Sequence, residues 1–201
     1  MGRRAFTFRG PTSGSYRLVI GEVPLMRKVL PVGARRGRTA EFELHGVNLA
    51  NVSKIVLGDS LVVGEVLEAS HDQLRFRMSV PAELAPGRYF LHAHAGSVES
   101  PLPLPIMISD VPEQLSSSAR SRSRPQHVGL PIAMNGILEH RKAADFFSFD
   151  VAAGQRVALR VDSMQLGFLL DPALFIYDLE GRQLAYQDEP APNNSKEMPN
   201  L

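Results

Sequence analysis

The chain has no cysteine among its 201 residues. That excludes disulfides, thiolate nucleophiles and every zinc site built on sulfur. It has almost no excess charge, +1 by formal count, so no global field draws it to nucleic acid or an anionic membrane, although a local basic patch is allowed. It also lacks a long apolar run. Met1-Gly2-Arg3-Arg4 has the basic character of a signal-peptide start, but Ala5-Phe6-Thr7-Phe8-Arg9-Gly10-Pro11 breaks off before an apolar core forms. The most apolar later stretch, 101–109, carries three prolines and falls far short of the roughly 20 residues that a membrane span needs. Neither a signal peptide nor a span is read here. Catalytic motifs are missing too: there is no G-x-S-x-G elbow, no H-E-x-x-H pair, no phosphate-cradling glycine loop, and the six histidines stand in no triad order. The expectation is a protein that is not an enzyme.

What is present is strand patterning. Apolar residues make up 44% and charged residues 21%, enough to bury a core, and the length allows one large domain or two of about 100 residues. The clearest stretch is 144–161, two β-type runs around Ala152-Ala153-Gly154. In its second run Val157, Leu159 and Val161 alternate with Arg156, Ala158, Arg160 and Asp162, the period of a strand with one buried face. A third run, 173–178, follows Leu170-Asp171-Pro172 and stops at Glu180-Gly181. Earlier, residues 5–8 and 15–20 form two short strand-like runs around a turn-rich 10–14. Ala40, Phe42 and Leu44 alternate with Thr39, Glu41 and Glu43. Residues 54–57 and 61–67 flank the turn Gly58-Asp59-Ser60, 73–80 alternates, 88–95 follows Pro86-Gly87, and 98–108 reads as a proline-punctuated edge strand. Short strands at intervals of about ten residues predict a β-sandwich.

Two resemblances sharpen this. Leu30-Pro31-Val32-Gly33, Gly37-Arg38-Thr39-Ala40-Glu41-Phe42, Gly46-Val47-Asn48-Leu49, Ile55-Val56-Leu57-Gly58, Leu74-Arg75-Phe76 leading to Val80-Pro81, and Pro86-Gly87-Arg88-Tyr89 follow one another. On these, residues 23–109 resemble an IPT/TIG-type immunoglobulin-like domain. Leu130-Pro131-Ile132-Ala133-Met134-Asn135-Gly136, Ala144-Asp145-Phe146-Phe147-Ser148-Phe149, Ala153-Gly154-Gln155-Arg156-Val157, Leu170-Asp171-Pro172-Ala173-Leu174 and Asp178-Leu179-Glu180-Gly181-Arg182 follow later. On these, residues 129–201 resemble the front half of a bacterial pre-peptidase C-terminal domain, a β-sandwich accessory module of secreted proteins. Residues 1–22 hold a strand pair resembling the close of such a module, so both ends read as cut inside a domain. They either belong to a tandem array or complete the 129–201 half-sandwich themselves. The expected fold is all-β: two β-sandwich modules joined by the Ser/Arg-rich linker 110–128.

Candidate sites are few. The linker's Arg120, Arg122 and Arg124 form either a small patch for a polyanion or a solvated tether, and three arginines make few phosphate contacts. His92 and His94 share one strand face and could begin a metal site with His45 or His71, or simply stand on a wet face. Asp145, Asp150, Asp171, Asp178, Asp188 and Glu189 could supply oxygen to calcium, though the EF-hand spacing is absent. The second resemblance implies calcium without locating its site, since some collagen-binding relatives bind it; Asp171, Asp178 and Asp188 are the candidate ligands, and the alternative makes Asp171 and Asp178 turn formers. Tyr89, Phe90, Phe168 and Tyr186 could serve a binding face or pack the core.

The resemblances together imply a non-catalytic structural, adhesive or binding module without an obligatory cofactor, a fragment of a longer secreted or cell-surface bacterial protein. Its partners would be neighbouring domains and extracellular protein or polysaccharide, with no nucleic acid. The alternative is a calcium-dependent binding accessory of an exported hydrolase or peptidase.

Overall fold

A computed structural model of the chain describes residues 15–59, 61–117, 121–140, 143–168 and 170–188. The described residues are all-β, apart from one 3-10 turn at Met164–Leu166. The first nine strands are β1 (Leu25–Leu30), β2 (Gly33–Arg35), β3 (Arg38–Val47), β4 (Lys54–Leu57), β5 (Val62–Ala69), β6 (Gln73–Val80), β7 (Gly87–Ala95), β8 (Val98–Glu99) and β9 (Leu104–Ser109). They pair in the order β1-β3-β6-β5-β4-β7-β9-β2, with β8 beside β7. Strand β5 serves both layers of the sandwich: its first three residues pair with β4 and its remainder with β6. The change of layer falls at Gly64, where an added Cβ would meet the Phe76 ring at 3.0 Å.

Alternation makes the core. On β6, Leu74, Phe76, Met78 and Val80 are buried and the residues between them exposed. Phe76 lies opposite Phe42 in the β3–β6 ladder and stacks on it at 4.8 Å. Ile55, Leu57, Leu91, Ala93, Ile106 and Ile108 face them from the second layer. The Gly46-Val47-Asn48-Leu49 turn has a physical reason for its glycine, asparagine and leucine. A Cβ on Gly46 would sit 2.1 Å from the Leu25 carbonyl oxygen. Asn48 takes a left-handed conformation (φ 59°) and donates its amide to the Val23 carbonyl, and Leu49 is fully buried.

Two expectations in this region need correction. The 98–108 stretch is not one edge strand: β9 lies between β7 and β2. Its Pro105 is tolerated because β2 reaches only Met107–Ser109, leaving the Pro105 end without a second neighbour. Residues 15–20 form no strand, and Tyr16, Leu18 and Ile20 are exposed; residues 5–8 lie outside the described residues.

After β9 the ladders shorten. Strands β10 (Glu113–Leu115) and β12 (Ala133–Asn135) pair in parallel, as do β11 (Gln126–His127) and β13 (Phe147–Ser148), while β14 (Leu174–Tyr177) and β15 (Gln183–Gln187) form an antiparallel hairpin. The stretch 110–128 therefore differs from a tether solvated throughout, since β10 and β11 lie within it and Val128 is buried. The second run of 144–161 is also a correction. Residues 156–161 form no strand, because among the described residues no neighbouring strand lies alongside to pair with them.

Candidate functional site

His92 and His94 do share the outer face of β7, where the β4 ladder sets them opposite Val56 and Lys54. The Nδ1 of His92 meets Glu99 Oε1 at 2.6 Å. His45 stands on β3 in the other layer, its Nε2 2.5 Å from Glu43 Oε1, so the structure does not bring it to the pair. Among the described residues no three histidine or acidic side chains gather as a metal site.

The acidic candidates are dispersed among local partners. Asp178 closes the β14–β15 turn: Oδ1 accepts from the Arg182 N–H at 2.8 Å and Oδ2 from Arg182 Nε at 2.6 Å, with Gly181 at φ 84° completing the turn. Desolvation acts upward on the Asp178 carboxyl, and the Arg182 hydrogen bonds and charge together outweigh it, holding it below its ordinary value. Asp188 accepts from the Tyr186 hydroxyl at 2.6 Å, which raises the Tyr186 phenol above its ordinary value. Asp150 lies 3.6 Å from His127 Nε2, Asp171 is exposed on the approach to β14, and Glu189 falls outside the described residues.

Three arrangements went unread in the sequence. The first is an aromatic row on the β14–β15 hairpin. Tyr177 and Phe175 stack with centroids 6.3 Å apart, and Phe175 meets Tyr186 at 4.7 Å. Arg122 lies 4.2 Å over the Tyr177 ring and donates Nη2 to the Gly181 carbonyl at 2.8 Å. Of the four aromatics singled out in the sequence, Tyr186 belongs here. Tyr89 packs on the core and donates to Ala85, Phe90 is surface beneath Arg88, and Phe168 is half-buried.

The second is a polar junction between the sandwich and the segment after it. Asn135 Nδ2 donates to Glu113 Oε2 at 2.7 Å, and Asn135 Oδ1 accepts from the Val32 N–H at 3.0 Å. Ser109 donates to Glu113 Oε1 at 3.0 Å. Gly33 leaves the room for this, as a Cβ there would lie 2.9 Å from Glu113 Oε1. Burial raises the Glu113 carboxyl above its ordinary value, against the opposing pull of these two hydrogen bonds.

The third is a shallow cleft of about 400 Å³ where the end of the sandwich meets residue 160. Pro86 and Met107 line it, with Arg88, Asp110 and Arg160 at its polar positions. Asp110 pairs with Arg36, and Arg160 with Asp162.

No protein-family profile matches the chain, and no curated protein matches it. Among solved structures it is similar to SGBP-B of the Bacteroides ovatus mixed-linkage glucan utilization locus, solved in complex with a mixed-linkage heptasaccharide. The match has 16% identity and a TM-score of 0.38, over 55% of this chain and 26% of that one. The chain thus spans about a quarter of that protein's length, and a likeness of that extent carries no functional weight. Among the described residues no helix is long and apolar enough to cross a membrane.

Proposed function

We propose that the chain is a non-catalytic structural and adhesive module of a larger secreted or cell-surface bacterial protein. In this reading an IPT/TIG-type immunoglobulin-like sandwich over residues 23–109 holds a pre-peptidase-like unit over 129–201 at a set orientation. The strand order supports the first half: β1-β3-β6-β5 against β4-β7-β9 follows the A-B-E-D and C-F-G order of immunoglobulin-like sandwiches. The observation that carries the functional reading is the polar junction. Asn135 holds Val32 and Glu113 together, and β10 follows β9 directly before pairing with β12. A half-buried, mutually satisfied network around the buried Asn135 resists bending because each member's loss strands another.

Because the chain has no cysteine, spin labels can be placed at will through Ser70→Cys and Gln187→Cys. A narrow distance distribution, broadened by Asn135→Ala, is the expected result; a broad distribution in the parent protein would sink the spacer reading. The calcium-dependent accessory role, with Asp171, Asp178 and Asp188 as ligands, is decided by melting temperature in excess calcium against chelator. A rise of several degrees with calcium selects it, because a ligand that binds only the folded state stabilises that state.

A further inference from the structure

The segment with the plainest strand pattern in the chain has no strand beside it among the described residues. Among the described residues, no backbone N–H or C=O of 156–162 bonds to another backbone group. Val157 and Leu159 are half-buried, while Arg156, Ala158, Arg160 and Val161 are exposed. A segment of strand-like sequence whose backbone groups have no ladder partner among the described residues is a template for another strand, and its own sequence says which strand fits.

We propose that residues 156–162 pair antiparallel with the same residues of a second copy of this chain, about a two-fold axis through Leu159. In that register Leu159 faces itself, Val157 faces Val161 of the second copy, and Ala158 faces Arg160. Arg156 then faces Asp162, and the symmetry makes this ion pair twice. Arg156 has no ion-pair partner among the described residues. The Asp162 carboxylate is already held in place by Arg160 Nε and Nη2 at 3.1 and 2.9 Å. Charge rejects the neighbouring registers: an axis through Ala158 sets Arg156 against Arg160, and one through Arg160 sets that residue against itself. Shifts by a single residue oppose the apolar row to the polar one. Seven residues make a small interface, so the dimer forms reversibly and depends on concentration.

Analytical ultracentrifugation of the whole chain across a concentration series, at low and high salt, tests this. A monomer–dimer equilibrium that weakens with salt is expected, with amides of 156–162 gaining hydrogen-exchange protection as dimer forms. Arg156→Asp and Asp162→Arg each put like charges opposite one another twice and should weaken dimerisation about tenfold or more. The double variant Arg156→Asp/Asp162→Arg restores the pairs in reverse and should dimerise again, which separates lost pairing from misfolding. A parent chain that stays monomeric throughout overturns the proposal. So do single variants that dimerise like the parent, or a double variant that fails to recover.

Discussion

Two regions of this molecule carry the same period-2 pattern with opposite results. In β6, Leu74, Phe76 and Met78 sit between two neighbouring strands and are almost wholly buried. In 156–162, Val157 and Leu159 are only half-buried, Val161 is exposed, and no ladder forms on either side among the described residues. The pattern states which face a strand would bury, and only a partner strand decides whether it is a strand at all. Truncating one residue in each region separates the two cases. Phe76→Ala removes a fully buried ring stacked on Phe42 and should cost about 3–5 kcal/mol in urea unfolding. Leu159→Ala, measured at concentrations where the chain is monomeric, should cost about 1 kcal/mol or less. Equal losses would mean that the two regions bury their patterns equally.

That contrast also marks what could be read in advance. β3, β6 and β7 were legible because their alternation is unbroken and both neighbours lie within the same sandwich. β1 was not, because a bulge between Met26 and Lys28 breaks its period and puts two inward residues, Met26 and Val29, three apart. β2, β10 and β12 were too short to show a period, and parallel pairing leaves no hairpin turn to announce it. His92 and His94 were correctly placed on one face. What sequence spacing could not supply was the distance from His45, or the fact that Asp178 would be occupied by Arg182. The polar junction had one available signal, Gly33 and Asn135 each following a Leu-Pro pair, but the hundred-residue separation of their contact hid its meaning.

The polar junction joins the two regions. Asn135→Ala strands the Val32 N–H and half of the Glu113 carboxylate and should cost about 1–3 kcal/mol in urea unfolding. Hydrogen-exchange protection should fall in β10 and β12 while the sandwich strands keep theirs. Uniform loss across all strands would mean that the two regions unfold as one.

A smaller effect with a defined sign comes from Glu113. Its carboxyl is raised in the folded protein, chiefly by burial. Whatever stability the protonated group contributes is therefore complete below the ordinary glutamate range and is lost as pH rises through the raised value. Glu113→Gln keeps the shape and removes the ionisation. The variant should melt above the parent at neutral pH, with the gap closing as the parent's carboxyl protonates in acid. A gap that widens toward acid would mean that the ionised carboxylate is the stabilising form, with the Asn135 and Ser109 hydrogen bonds outweighing burial.

The smallest effect concerns what keeps an isolated hairpin in place. Among the described residues β14–β15 has no third strand, and two strands alone are marginal in water. Its aromatic row Phe175, Tyr177 and Tyr186 is half exposed, so its own packing supplies only part of what ordering it requires. Arg122 adds a cation over Tyr177 and a hydrogen bond to the Gly181 carbonyl from a point about sixty residues away in the chain, a tertiary tie where a ladder is missing. Arg122→Ala should therefore cost only about 0.5–1 kcal/mol, the scale of an exposed cation–π contact. The loss should appear locally, as faster exchange of the β14 and β15 amides with the sandwich unchanged. Arg122→Lys keeps the charge but loses the planar group that can stack and donate at once, and it should behave closer to alanine than to arginine.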